Sequence, residues 1–336
     1  MIIYAYVMGE SVAALFLAGI VPGIMVGVGL MVMVRLMADR YDLPKAKRIV
    51  KKGQTITTRE AYVAWGLIRI NIAGLLYGLS GLFGAGDQIN GWIMFAVLLL
   101  VAHGICAYIK SQVSADFRVV CKKAVAPLQT PIIILGGILA GVMTPTEASA
   151  IAVAYALIVS FFILKSMSLK DLWPVIARSA LASSAVLLLV GAAVAFKTVV
   201  SLSYAPQILT EAILSLSENP LVLLFLINML LFIVGMFLDA GPAIIILGPI
   251  LGPIFTELGV HPVHFAIIMS VNLTVGLATP PMGLVLFVAS TVSREKVETI
   301  SKAILPFLAV EVIVIFLITY IPAISMTIPR LTGFVQ

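Results

Sequence analysis

The sequence predicts an all-α integral membrane protein, a multi-span helical bundle with a re-entrant hairpin and discontinuous helices, and three observations predict it. First, 62% of the 336 residues are hydrophobic, against roughly 45–50% in soluble domains even with glycine counted in, and mean hydropathy is +1.17. Second, charged residues make up only 11% and gather between long apolar runs, as in a chain solvated by lipid. Third, two of the apolar runs near the C-terminus are interrupted by clustered proline and glycine. So little polar material cannot coat a globule, which excludes a soluble domain. Net charge is +6, and its placement says more than its sum. Arg35, Arg40, Lys45, Lys47, Arg48, Lys51, Lys52 and Arg59 crowd one connection. Beside membrane spans such a run reads as a cytoplasmic loop rather than a nucleic-acid patch. Cys106 and Cys121 are too few for a disulfide framework or a zinc cage.

Met1 to Met8 is apolar with no basic region before it, and Glu10 follows. This lacks the parts of a signal peptide, and the chain is expected to begin inside a membrane segment. Val12 to Met37 is the first run long enough to cross a core of about 30 Å. Ala61 to Phe83 and Trp92 to Ile109, joined by GAGDQING, read as a helical hairpin. Lys110, Arg118, Lys122 and Lys123 restore a basic loop, so the hairpin leaves and returns on one side. Pro131 to Met143 is apolar but short. At TPTEASA, Thr144 or Thr146 is placed to cap a helix carrying Glu147 in its first turn and running to Leu164. Lys165, Lys170 and Arg178 form the next loop, Ala180 to Val200 crosses with Lys197 near its far end, and Leu221 to Leu238 crosses again.

The pattern then changes. In Asp239 to Leu258, Pro242, Pro249 and Pro253 alternate with Gly241, Gly248 and Gly252, which argues for a re-entrant hairpin over one continuous helix. Val263 to Ala278 runs into TPPMG (279–283), and Leu284 to Val292 is too short to cross alone, so this segment reads as a helix broken at its middle. Ile304 to Ile321 is the last span, with Arg330 in a short tail. In lipid, broken helices persist only where protein or a water-filled cavity accepts the freed backbone groups, and secondary transporters use such breaks to bind ions and anions. The chain's two ends also match weakly. Ala5, Ile20, Pro22, Val26 and Val28 recur at one constant offset as Ala289, Ile304, Pro306, Val310 and Val312, as a partial inverted repeat would. On this reading the partner of the TPPMG break is expected upstream of Met1.

Four stretches carry a resemblance to a known family: MIIYAYVMGESVAALFLAGIVPGIM at the start, PIIILGGILAGVMTPTEASAIAVAYAL from Pro131, GMFLDAGPAIIILGPILGPI from Gly235, and GVHPVHFAIIMSVNLTVGLATPPMGLVLFVAS from Gly259. They resemble the large membrane subunit of the tripartite ATP-independent periplasmic (TRAP) transporters, the DctM-like family. The resemblance implies an elevator-type, sodium-coupled importer of an organic acid, such as a C4-dicarboxylate or sialic acid, in the bacterial inner membrane. It implies two partners, a small four-helix membrane subunit and a periplasmic binding protein, with Na+ as coupling ion and no other cofactor. It places a sodium site at Gly235, Gly276, Thr279 and Met282, through backbone carbonyls and the Thr279 hydroxyl; a hard cation takes the carbonyl of Met282 and not its sulfur. Asp239, Asn272, Pro280 and Pro281 stand as substrate or coupling candidates. For Asp239, an intramembrane acid, a hairpin-capping role is the equal alternative.

The resemblance divides the chain into the end of a first transport repeat and its following span (1–37), a basic loop with an atypical inserted hairpin (38–124), scaffold-type helices (125–234), the second hairpin and broken helix (235–303), and the last span with its tail (304–336). The first repeat's hairpin and break are absent from it. A non-transporting membrane remnant or assembly scaffold is therefore the competing expectation. The other polar residues have plain readings. His261 and His264 form a loop pair and not a metal site, His103 is packed in an apolar run, Glu147 caps its helix, and Glu311 either pairs or faces a cavity. No GxSxG, HExxH or GxxxxGK motif occurs, and Asp239 has no acidic partner for a protease dyad, so an enzyme is not expected.

Overall fold

A computed structural model describes residues 1–38, 57–82, 91–113, 115–204, 208, 211 and 219–335. Among the described residues every regular element is helical, and 7 helical stretches are long and apolar enough to cross a membrane. The chain divides into two compact units, one of residues 1–44 with 180–336 and one of residues 45–179.

The first unit opens with helix α1 (Ile2–Met8), which stops at Gly9 in the left-handed region (φ 77). Ser11 then accepts the Ala14 amide at 3.3 Å and starts α2 (Val12–Ala18), continued almost without a break by α3 (Ile20–Ala38). The second half of the unit comprises α9 (Pro220–Phe237), α10 (Ala240–Glu257), α11 (Pro262–Gly276), α12 (Leu284–Ser293), α13 (Val297–Tyr320) and α14 (Ala323–Leu331). The core centres on α11, whose Phe265, Ile267, Ile268, Met269 and Leu273 are fully buried, with Phe265 stacked on Phe255 of α10 at 4.9 Å between centroids. A helix apolar on every face belongs in such a centre, and α2, α9, α10 and α13 pack around it.

The weak sequence repeat has a structural counterpart. A short helix, a left-handed residue, an N-cap and a long helix follow one another at Gly9, Ser11 and α2–α3, and again at Arg294 (φ 60), Lys296 and α13.

One expectation is corrected in this unit. Asp239 to Leu258 is not a hairpin within itself: α10 runs unbroken through Pro249 and Pro253. The interruption lies just upstream, at the extended residues Leu238 and Asp239 that join α9 to α10. Pro242 sits in the first turn, where its missing N–H costs nothing. The two interior prolines deprive Ile245 and Pro249 of their i+4 donors, yet 50% of the helix is buried. Gly248 and Gly252 let α1 approach so closely that Met8 covers both. Packing on both sides outweighs the lost hydrogen bonds.

The second unit contains α4 (Thr58–Leu82), α5 (Gly91–Gln112), α6 (Ala115–Leu139) and α7 (Pro145–Ile158), which ends in a π turn, Val159–Ile163. The unit boundary falls within α8 (Leu169–Leu202). The helices α4 and α5 pack together as expected; their connecting turn and most of the basic loop before α4 lie outside the described residues. The loop expected at Arg118, Lys122 and Lys123 is instead the start of α6, and Pro131 is interior to it. Likewise Lys170 and Arg178 belong to α8 and not to a loop. Long cationic side chains can extend toward the membrane surface from within a helix, so charge alone marks an interface and not a helix end. Thr144 is the cap of α7: its hydroxyl accepts the Glu147 amide at 3.3 Å, while Glu147 accepts the Thr144 amide at 2.8 Å.

Candidate functional site

The site is built where α9 meets α11. A Cβ at Gly276 would stand 2.6 Å from the Cα of Gly235, and one at Gly235 would stand 2.9 Å from the Leu273 carbonyl oxygen. Only glycine permits this backbone-to-backbone approach. Lower on the same face, Asn272 donates to Asn228 at 2.6 Å. Residue numbers rise in the same direction from the asparagine pair to the glycine pair, so α9 and α11 run parallel here and their C-terminal ends converge. Each such end carries partial negative charge and carbonyls without intrahelical partners.

The α11 end opens into TPPMG. The Ala278 amide closes on Val275 at 3.0 Å, the Thr279 amide on Gly276 at 2.9 Å, and the Gly283 amide on Thr279 at 3.0 Å. The Val285 amide reaches across the break to Leu277 at 3.1 Å. Gly283 is obligatory, since a Cβ there would meet the Leu277 oxygen at 2.5 Å. The Pro280–Pro281 peptide is cis. Among the described residues no amide donates to the carbonyls of Ala278, Pro280, Pro281 or Met282, nor to that of Gly235, because the Leu238 amide is taken by Val234. The buried Thr279 hydroxyl donates to Val275 at 2.9 Å, which leaves its lone pairs free to accept. This is an all-oxygen donor set of the kind hard cations take.

The structure therefore brings Gly235, Gly276 and Thr279 together and leaves Pro281 and the Met282 side chain exposed. Asp239 caps α10, its carboxylate accepting the Ala240 amide at 2.8 Å. Asn272 is not at the break. It lies one turn before Gly276, 1% exposed, and belongs to a buried network that sequence reasoning missed. Asn228 donates to Thr319 at 3.1 Å and to the Leu224 carbonyl at 2.7 Å. His264, placed in a loop by the sequence, is on α11 and buried, with Nδ1 2.7 Å from the Ser325 hydroxyl and Nε2 3.3 Å from the Thr319 carbonyl. The signal available was a lone asparagine or histidine in an apolar run, which in a membrane helix implies an interior partner. His261 is the N-cap of α11, accepting the Val263 amide at 3.1 Å. No group of three or more His, Cys, Asp or Glu able to hold a metal occurs among the described residues.

The sequence profile described as "Tripartite ATP-independent periplasmic transporter, DctM component" matches residues 1–324. A C4-dicarboxylate TRAP transporter large permease protein of Pseudomonas aeruginosa is 31% identical, over 99% of this chain and 63% of its own length. A sialic acid TRAP transporter large permease protein of Vibrio cholerae is 34% identical, over 75% of this chain and 60% of its own. An isethionate TRAP transporter permease protein of Oleidesulfovibrio alaskensis is 43% identical, over 59% of this chain and 31% of its own. The chain thus spans less than two thirds of these relatives. With its apolar helices, the match makes it a multi-pass protein of the bacterial inner membrane, and the chain belongs to the DctM component family of TRAP transporters.

Proposed function

We propose that the chain acts in sodium-coupled import of a small organic anion, with α9 to α12 forming the cation side of the transport site. The observation that carries this reading is the convergence of two parallel helix C-termini on unpartnered carbonyls beside the Thr279 hydroxyl. Those ends favour a cation, while the amide ends of α10 at Ala240 and α12 at Leu284 favour an anion. Gly235, Gly276, Thr279 and Met282 would hold Na+, and Pro280 and Pro281 would keep the carbonyls open. Asp239 orients the start of α10 beside the anion. The relatives' names give a dicarboxylate, a sialic acid and isethionate, all organic acids, which supports that class without choosing a member. The reading includes delivery by a periplasmic binding protein, bracing by a small four-helix membrane subunit, and an elevator motion.

A scaffold that does not transport is the second reading, favoured by the 60% to 63% share of its relatives' length that the chain spans. Reconstitution with the small subunit and binding protein separates the two. Uptake should follow a sodium gradient, and Thr279→Ala should raise the sodium concentration for half-maximal uptake roughly tenfold, the loss of one good oxygen ligand. Uptake untouched by Thr279→Ala removes the site assignment. A correctly inserted chain that supports no uptake upholds the scaffold.

A further inference from the structure

We propose that the second unit binds an anionic phospholipid in the cavity between α4, α5 and α6. This cavity, of about 530 Å³, is lined in part by Arg69, Lys110, Arg118 and Lys122, and none of its described lining residues is acidic. The rest of the wall is apolar, with Ile72 and Phe117 as examples. Trp65 and Lys122 also line an adjoining cavity of about 500 Å³.

Two of the cations are shaped for a ligand. Arg69 lies 4.0 Å over the Trp65 ring, donates from Nη1 to the Trp65 carbonyl at 2.7 Å and from Nε to His103 at 3.0 Å. Those contacts fix the guanidinium plane and leave further N–H groups to donate. Arg118 has its Nε buried with no hydrogen-bond partner. A buried donor left without a partner is costly, and an anion in the cavity beside it would lower that cost.

Position selects the kind of anion. The apolar stretches Ile93–Lys110 and Phe117–Leu139 end and begin at this cluster, so Lys110, Arg118 and Lys122 lie at the membrane surface, where basic pockets between helices take anionic headgroups. A free phosphate would satisfy the cations but leave the apolar wall wet. A phospholipid satisfies both, its phosphate on the arginines and an acyl chain along Ile72 and Phe117.

Native mass spectrometry of the full chain in detergent, titrated with phosphatidylglycerol or phosphatidylcholine, tests this. Phosphatidylglycerol should bind at least about tenfold more tightly, and Arg118→Gln with Lys122→Gln should weaken it about thirtyfold, at about one surface charge's attraction per residue. Arg118→Lys should keep most of the preference. Ile72→Trp, which fills the apolar part, should weaken the lipid while leaving inorganic phosphate binding unchanged. Equal binding of the two lipids by the wild type overturns the proposal, as does a folded double glutamine variant that retains full preference. Displacement of lipid by millimolar inorganic phosphate with no effect of Ile72→Trp assigns the cavity to free phosphate and overturns the lipid.

Discussion

The two units handle polar groups inside apolar surroundings in opposite ways. Around α9 and α11 most of the buried polar side chains are neutral and answer one another, Asn228, Asn272, Thr319, His264 and Ser325 among them, while the buried Ser270 hydroxyl has no partner among the described residues, and glycine at 235 and 276 closes the remaining space. Around α4 to α6 Asn71 donates to the buried Gln129, but Arg69, Lys110, Arg118 and Lys122 share a cavity whose described lining residues include no carboxylate. A neutral, satisfied network fixes one helix arrangement, whereas an array of cations leaves its completion to something that arrives. The first unit should therefore respond to changes of volume and hydrogen bonding, and the second to charge and added anion.

The sharpest test of that contrast is Gly276→Leu. Its Cβ alone would lie 2.6 Å from Gly235, so α9 and α11 must separate, at a cost of about 3 kcal/mol or more. Thermal unfolding in detergent should shift down by many degrees and sodium dependence should vanish. A bulky change in the second unit, Ile72→Trp, should leave the unfolding temperature nearly unchanged because a cavity receives it. If both variants melt alike, the two units do not differ in the way described.

A smaller effect is expected from the asparagine pair. Asn228→Leu or Asn272→Leu leaves its former partner buried and unsatisfied, at about 1–3 kcal/mol. The double replacement should cost clearly less than the two single costs added together, since no orphan then remains. Strict additivity in unfolding measurements would show that the 2.6 Å contact contributes nothing to holding α9 against α11.

What the sequence made legible follows from what each signal measures. The TPPMG break was readable because two adjacent prolines remove two consecutive donors, a loss no neighbouring helix can offset. Pro249 and Pro253 misled because each removes a single donor, and the packing of α1 and α11 on α10 cannot be read from local composition. Arg118, Lys122, Lys170 and Arg178 read as loop markers because an apolar run shows only the lipid-facing part of a span, while α6 and α8 extend past theirs into the interface. Gly235, Gly276 and Thr279 lie near one another because the glycine contact joins α9 to the end of α11 just before the break. The Asn272 network was not legible, because its partner Asn228 lies 44 positions away and no periodicity connects them.

The smallest effect concerns His261, at the start of α11, where the neutral network meets the exterior. Its Nδ1 accepts the Val263 amide, which only the unprotonated ring can do. Partial burial lowers its pKa, Glu10 opposes the shift and Arg330 adds to it. A histidine with a folded pKa below its unfolded value near 6.5 contributes stability that is present above that value and is lost as pH falls through the folded pKa. Acidification from pH 7 to pH 5 should thus weaken the start of α11 by about 1 kcal/mol or less, the worth of one cap on a partly exposed group. His261→Asn keeps an accepting side chain without a titrating one, so it should hold the cap and flatten this part of the unfolding profile. A profile equally steep in the asparagine variant would place the pH response elsewhere and leave the cap a geometric detail.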